Sequence, residues 1–404
     1  MAGVPIGKDI YWVGAVDWNL RDFHGYRTGR GSSYNAHLIL DEKKCLVDTV
    51  KSPFTGRLLE NISALVKPGE IDYIISNHLE LDHSGAILEI LRHCPKARLL
   101  ATGHWIEGAE KYFGPGLPVQ PVKTGDTLSL GRRTLQFIEA PMLHWPDSLF
   151  TYLPEDGILL PNDAFGQHYA SGSRFDDEVP EAVLMDEAAR YYANIILPYS
   201  NLVTRMLGRI GEMKLDIRLI GPSHGIIWRR PEKILAAYRD WAAGRTRPKA
   251  VVAYDTMWGS TAMLAESIAE GLQSAGLETV VMPLKASNRS DVAAEILEAA
   301  AFALGTPVLN NLPLPSVADL YTYLKGLRPR KKQWLAFGSY GWNREIIPRF
   351  AQEIKEAGFE VELPAVAARF RPDGGELAAA RAAGVRLAGL AAGAVETEPK
   401  EKPE

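Results

Sequence analysis

Asn77-His78-Leu79-Glu80-Leu81-Asp82-His83, with Ser84 and Gly85 after it, is the stretch that decides how this chain is read. It follows an apolar run, Ile71 to Ser76, that reads as a short buried strand. It precedes Ala86 to Leu91, whose apolar positions have helical spacing. His78 to His83 therefore form a strand-to-helix loop at a sheet edge. Two imidazoles and two carboxylates stand within six residues there. A solvated acidic turn has no use for both histidines, whereas a metal site does.

Three more ligand types lie just after apolar runs that read as strands. His144 sits in Pro141-Met-Leu-His-Trp-Pro-Asp-Ser, after Leu135 to Ala140. Asp163 sits in Leu159-Leu-Pro-Asn-Asp-Ala-Phe-Gly, after Gly157 to Leu160, and His224 in Ile220-Gly-Pro-Ser-His-Gly. Loops at strand ends converge on one rim, where such folds build their sites. The set His78, Glu80, Asp82, His83, His144, Asp163 and His224 is too large for one tetrahedral ion and suits two ions sharing a carboxylate, for which Asp163 is the candidate. Around these loops, residues 10–50 and 128–161 hold two strand-rich blocks, each accompanied by helices. Asp186 to Met213 reads as helical, interrupted at Pro198. The expectation is a sheet sandwich with helices on its outer faces.

The ligand pattern resembles the metallo-β-lactamase superfamily, whose usual motif is His-x-His-x-Asp-His. Glu80 stands where that motif has its second histidine. A carboxylate is a harder, anionic donor that suits iron better than zinc. His24, in Asp22-Phe-His-Gly, and Tyr192, in Arg190-Tyr-Tyr-Ala-Asn, are read as donors reaching the metal pocket. His37, His93 and His104 are read as structural or surface residues, and His168 as no ligand.

A polar connector, Trp241 to Lys249, precedes a different pattern. Ala250-Val-Val-Ala-Tyr is a near-continuous apolar strand, followed by Asp255-Thr-Met-Trp-Gly-Ser-Thr and an amphipathic helix from Ala262. Backbone N–H groups and hydroxyls at the positive end of a helix make an anion site. No Gly-Lys-Ser/Thr ending and no Gly-x-Gly-x-x-Gly is present, which disfavours a nucleotide P-loop and a dinucleotide site. Strands at Thr279–Met282, Ala301–Gly305, Gln333–Gly338 and Glu360–Leu363 alternate with helices, so the expected sheet is parallel and doubly wound, with its ligand at the carboxyl ends of the strands. The loop Thr256, Met257, Trp258, Gly259, Ser260 and Thr261 resembles the phosphate loop of flavodoxins, which hold FMN. The next strand-end loops, Thr306, Pro307, Val308, Asn310 and Asn311, then Ser339, Tyr340, Gly341 and Trp342, complete the expected FMN site, with Trp258 and Trp342 flanking the ring.

Composition sets the surroundings. The 404 residues suit two domains. A net charge of −4 gives no basic stripe for nucleic acid. No apolar run reaches the roughly 18 residues of a membrane span, and the first residues do not read as a signal peptide. Cys45 and Cys94 make neither a disulfide framework nor a thiolate site, so a cytoplasmic location is expected. No Cys pairs follow residue 249, so no rubredoxin-type module is expected there.

Taken together, the chain resembles the flavodiiron proteins, from about Ile10 to Ala391. The resemblance implies two domains, α/β and α+β. Residues 1–248 would form a metallo-β-lactamase-like αββα sandwich, residues 249–391 a flavodoxin-like doubly wound sheet, and residues 392–404 a flexible tail. It implies one iron on His78, Glu80 and His144, another on Asp82, His83 and His224, and Asp163 bridging them. It implies an oxidoreductase in electron transport, reducing dioxygen to water or nitric oxide to nitrous oxide. The donor would be rubredoxin or another reduced carrier, such as a reduced deazaflavin. The assembly would be a head-to-tail homodimer or a dimer of dimers. Two alternatives stand beside it: a lactamase-type hydrolase with an accessory flavodoxin domain, and an FMN electron carrier whose metal domain is structural.

Overall fold

The computed structural model describes residues 3–396. Its chain divides into two compact units. One runs to Tyr192 and resumes from Tyr199 to Arg239; the other is Ala193–Pro198 together with the chain from Asp240 onward. The connector read at residues 241–249 is mostly structured: the helix Pro231–Ala243 ends in it and the strand Arg247–Tyr254 begins in it.

The first unit is built on two sheets. The larger orders its strands Val4–Gly7, Ile10–Trp12, His37–Ile39, Cys45–Val47, Tyr73–Ile75, Arg98–Ala101 and Val119–Pro121. The smaller orders Thr127–Ser129, Thr134–Glu139, Leu149–Leu153, Ile158–Leu160 and Leu219–Ile220. Successive side chains of a strand point to opposite faces, and the larger sheet uses both. Ile39, Cys45, Val47, Tyr73, Ile75 and Leu100 meet Leu135, Phe137, Leu149 and Leu160 between the sheets. Leu38, Leu46, Ile74 and Leu99 pack outward against Leu58, Ile62, Ile87, Ile90 and Trp105 of the covering helices. The fold is the αββα sandwich. Helical structure between Glu181 and Glu212 is broken into Glu181–Tyr191, a π-helical turn Tyr192–Ile196, a 3-10 turn Leu197–Tyr199 that contains Pro198, and Ser200–Glu212.

The second unit is a parallel sheet in the order Glu278–Pro283, Arg247–Tyr254, Ala299–Leu309, Gln333–Tyr340, Val366–Arg369. This is the flavodoxin-like doubly wound order. Three expectations need correction. The last strand is Val366–Arg369, not Glu360–Leu363; Glu360 makes only one bridge, to Gln333. Residues 306–311 are not a free loop. The long strand runs on to Leu309 and turns back as a hairpin with Leu312–Pro313. Asn310 and Asn311 fill the two turn positions at φ 52° and 60°, the left-handed pair that such a hairpin demands. Finally, residues 392–396 continue a helix, Gly374–Glu396, and the remainder of the stretch read as a tail, 397–404, lies outside the described residues. That helix packs on Ser260–Ser274, where Gly271 and Gly384 face the other helix's backbone so closely that a Cβ on either would collide. Among the described residues no helix is long and apolar enough to cross a membrane.

Candidate dimetal centre and cofactor cradle

The strand Tyr73–Ile75 delivers the ligand loop, and a buried polar network pins it there. Asn77 donates its backbone N–H to Asp48 Oδ1 at 2.7 Å and its side-chain amide to Asp48 Oδ2 at 3.1 Å. Thr151 donates to Asn77 Oδ1 at 2.7 Å. Glu80 precedes a single helical turn, Leu81–Ser84, which carries Asp82 and His83 inward. His144, Asp163 and His224 arrive from the loops after Thr134–Glu139, Ile158–Leu160 and Leu219–Ile220.

These residues form two clusters. His78, Glu80, His144 and Asp163 bring one ligand atom each to the first; Asp82, His83 and His224 form the second. Asp163 touches both. Its Oδ2 lies 3.3 Å from His78 Nε2 and 3.3 Å from His144 Nε2. Its Oδ1 lies 3.1 Å from His83 Nε2 and 3.4 Å from His224 Nε2. Glu80 Oε2 completes the first group at 3.3 Å from His78 and 3.4 Å from His144. Asp82 completes the second, Oδ1 3.4 Å from His83 and Oδ2 3.2 Å from His224. Two ligands about 2.1 Å from one ion and at right angles stand about 3 Å apart. The observed separations are edges of that kind.

The donors themselves fit ions. Both oxygens of Asp82, both oxygens of Asp163 and both ring nitrogens of His83 are buried without a hydrogen bond. Such orphaned groups are costly unless something else satisfies them. The metal-free electrostatics show the same crowding. Burial pushes the His83 imidazole down, but Asp82 and Asp163 outweigh it and raise it to about 9. Burial likewise opposes charging of His78, yet Asp147, Glu80 and Asp163 lift it well above its ordinary value. Burial pushes Asp163 up, and His83, His144 and His78 more than reverse that, holding its carboxyl well below the usual range. The carboxylates draw positive charge into the site.

Outer partners aim the rings. Asp147 Oδ2 accepts from Leu79 N–H at 2.6 Å and lies 3.2 Å from His78 Nδ1, which leaves Nε2 for the cluster. His224 Nδ1 donates to the Ser33 carbonyl at 2.8 Å with the same result. His24, at the tip of a hairpin, sits 2.9 Å from Glu80 Oε1. Tyr192 is placed elsewhere: its hydroxyl lies 2.9 Å from Ser200 Oγ and its ring packs edge-on against Tyr238. The neighbouring Tyr191 borders the centre instead, 5.0 Å from the His168 ring and 6.0 Å from the His224 ring. His168 is no member of either cluster; it is buried, with Nδ1 2.8 Å from Ser32 Oγ. The sequence reading also passed over Asp147, although it stands three residues after His144 in the motif that reading singled out.

In the second unit, a cavity of about 900 Å3 opens at the carboxyl ends of the strands. Met257, Trp258, Gly259, Ser260, Pro307, Val308, Asn310, Asn311, Ser339, Tyr340, Gly341 and Trp342 line it, joined by Met263, Leu309, Asn343, Phe370 and Arg371, which the sequence reading did not include. Thr256, Thr261 and Thr306 brace the loops instead. Thr256 Oγ1 accepts from Gly259 N–H at 3.1 Å, Thr261 Oγ1 lies 2.9 Å from Ser339 Oγ, and Thr306 Oγ1 accepts from Leu314 N–H at 2.9 Å. Gly259, at φ 89°, turns the chain into the helix Ser260–Ser274, leaving that helix's first N–H groups facing the cavity mouth. Trp258 and Trp342 are 94% and 88% exposed. Two bare indoles beside a deep cleft fit a flat aromatic ligand between them.

Comparison with known proteins agrees with both halves. Residues 33–225 match the family described as ODP family beta lactamase, and residues 252–384 match the flavodoxin family. A nitric oxide reductase from Moorella thermoacetica is 49% identical over 362 residues, covering 89% of this chain and 91% of that protein. The structure of a rubredoxin oxygen:oxidoreductase from Desulfovibrio gigas superposes with a TM-score of 0.95 at 36% identity, covering 97% of this chain and 99% of the other. A flavodiiron protein from Giardia intestinalis superposes with a TM-score of 0.95 at 34% identity, covering 98% of each chain.

Proposed function

The chain belongs to the flavodiiron proteins, and from that membership we propose an oxidoreductase that reduces dioxygen to water, nitric oxide to nitrous oxide, or both, with electrons entering from a reduced carrier such as rubredoxin. The observation that carries the reading is the donor set: four imidazoles and three carboxylates, no thiolate, in two clusters about the two oxygens of Asp163. When bound, FMN supplies electron relay and the two irons supply reduction of the gas.

The protein's own part follows from its residues. His78, Glu80 and His144 would hold one iron and Asp82, His83 and His224 the other, with Asp163, which touches both clusters, available to each. Glu80 adds a hard anionic donor, which favours iron over zinc and speaks against the hydrolase alternative. Its second oxygen takes the contact from His24, which fixes the carboxylate's orientation at the rim. In the cradle, N–H groups at the start of Ser260–Ser274 and the Ser260 hydroxyl take the FMN phosphate, while Trp258 and Trp342 flank the ring. The working assembly is a head-to-tail homodimer in which the flavin of one copy faces the irons of its partner. The exposed apolar rim of the cradle, with Trp258, Trp342 and Phe370, supports that arrangement. The proposed compartment is the cytoplasm, where reduced carriers operate and the buried free thiols Cys45 and Cys94 stay reduced.

The test is anaerobic turnover of protein loaded with FMN and iron, given a reduced donor and then each gas, with consumption followed by electrode. Consumption of at least one gas is expected, which also gives the preference, and His83→Ala or iron removal is expected to abolish it. Loss of neither gas, with flavin and iron both assayed as present, overturns the reading.

A further inference from the structure

The first unit holds a second cavity, of about 550 Å3, that shares no residue with the metal clusters. Trp12, Val16, Trp18 and Phe54 form its apolar walls, and Arg57 and Arg174 bring two cations to it. That volume lies within the range of small-molecule sites, about 300–1,000 Å3. Arg174 is the unusual group. It is 4% exposed and lies over the Trp12 ring, 4.6 Å from the centroid. Trp12 is itself held by a 2.7 Å hydrogen bond to Asn35 Oδ1. Arg174 Nη2 donates to the Ser171 carbonyl, whereas Nη1 is buried with no partner. The nearby carboxylate, Glu178, does not pair with it; Glu178 Oε2 accepts the backbone N–H groups of Arg174 at 3.1 Å and Phe175 at 3.3 Å.

A buried guanidinium with an unpartnered nitrogen, on which the Glu178 carboxylate acts only through its charge, is an expensive arrangement, and a planar anion with two acceptors relieves it. The aromatic walls call for a flat apolar body attached to that anion. Trp18, at 55% exposure, stands ready to be covered by it. Arg57, half-exposed and 3.0 Å from Glu60, adds positive charge nearby. We propose that this cavity binds a small aromatic carboxylate, with Arg174 taking the carboxylate and Trp12, Trp18 and Phe54 enclosing the ring. Burial depresses the Arg174 guanidinium to about 10, although the Glu178 charge opposes that shift.

The experiment is a fluorine NMR titration of the loaded, full-length protein with 4-fluorobenzoate, beside the neutral 4-fluorobenzyl alcohol. Charge-assisted hydrogen bonds contribute about tenfold or more in affinity. The acid is therefore expected to bind saturably and at least about tenfold more tightly than the alcohol. Arg174→Met is expected to remove that preference, and Val16→Phe, which fills the cavity and leaves the cation, to remove binding of both. FMN content, iron content and far-UV circular dichroism confirm that each variant is folded. The comparison of acid with alcohol on the native protein stands without either variant. Absence of saturable acid binding, equal affinity for acid and alcohol, or unchanged binding in both folded variants overturns the proposal.

Discussion

Asp163→Asn is the substitution that most directly tests the shared carboxylate. Asp163 is 1% exposed, and its oxygens lie 3.1–3.4 Å from four imidazole nitrogens, two on each side. At such a separation a pair of unit charges is worth about 5 kcal/mol at an effective dielectric of about 20. An amide keeps the shape but loses the charge, and only one of its two terminal atoms is an acceptor. One cluster then faces an NH2 group that can bind no metal. Even if the amide dipole keeps about half of the attraction, roughly 2–3 kcal/mol is lost, about a hundredfold in affinity. That is at the top of the 10–100-fold range seen when only an outer partner of a ligand is removed. The assay is metal content per chain after desalting against a chelator, FMN content by absorbance, and gas consumption by electrode. Expected are one iron or fewer per chain, unchanged FMN, and turnover down by at least about a hundredfold. A variant that keeps two irons through the chelator and turns over within about threefold of the native protein would refute the reasoning.

Four further outcomes are expected. Glu80→His supplies the imidazole that zinc sites favour, so protein made with equal iron and zinc should shift towards zinc; an unchanged metal ratio counts against the role given to Glu80. Trp342→Ala and Trp258→Ala each remove a stacking face, which elsewhere contributes about 1–3 kcal/mol per aromatic contact. FMN dissociation constants from fluorescence quenching should rise about tenfold or more, and two unchanged constants would move the flavin elsewhere. Burial pushes buried His37 from 6.5 down to about 3, so below pH 6.5 the unfolded chain takes up a proton that the folded one refuses. The stabilisation is whole above pH 6.5 and is lost progressively as pH falls towards 3, roughly 3 kcal/mol by pH 4.5. Denaturant unfolding at pH 7 and 4.5 should therefore show a smaller acid loss for His37→Leu than for the native protein, and equal losses dismiss the argument. Tyr191→Phe should alter turnover and the iron spectrum, whereas Tyr192→Phe should cost about 1 kcal/mol of stability and leave both alone; the opposite pattern reverses the assignment of these two tyrosines.

That last pair marks where the sequence stops being legible. The ligands could be read because each follows an apolar strand and each is a residue type with few other reasons to be buried there. The same logic found the cradle, whose loops follow three parallel strands. The tyrosine could not be read that way. Helical spacing runs through Asp186 to Pro198 in the sequence, but the structure changes to a π-helical turn at Tyr192. The rotation per residue changes there, so periodicity does not say which of two adjacent tyrosines faces the metals. The last strand failed for a different reason. Glu360–Leu363 and Val366–Arg369 are both short and apolar, and only partnership decides between them. Phe337 to Tyr340 pair in register with Val366 to Arg369, and a single bridge is left for Glu360. The terminal helix is alanine-rich with little polar contrast around it, so its register comes from the close approach at Gly271 and Gly384 and not from a visible stripe.

The outer partners make the two clusters unequal, which the ligand types alone would not reveal. His78 faces the Asp147 carboxylate through Nδ1, while His224 donates its Nδ1 proton to a neutral backbone carbonyl. A carboxylate behind a histidine raises its basicity as a ligand more than a carbonyl does. Beside the shared Asp163, the first cluster has Glu80 and the second has Asp82, so the anionic donors themselves balance. Asp147 adds a buried carboxylate in direct contact with a ligand ring of the first cluster, whereas behind the second the buried Asp48 acts on His83 through charge alone. His24 contacts the other oxygen of Glu80 but is exposed to water, where Asp147 is buried. The first cluster therefore presents a ligand ring, His78, held against a carboxylate, and the second presents His224 held against a neutral carbonyl, so an ion in the first would meet the more basic of these two imidazoles.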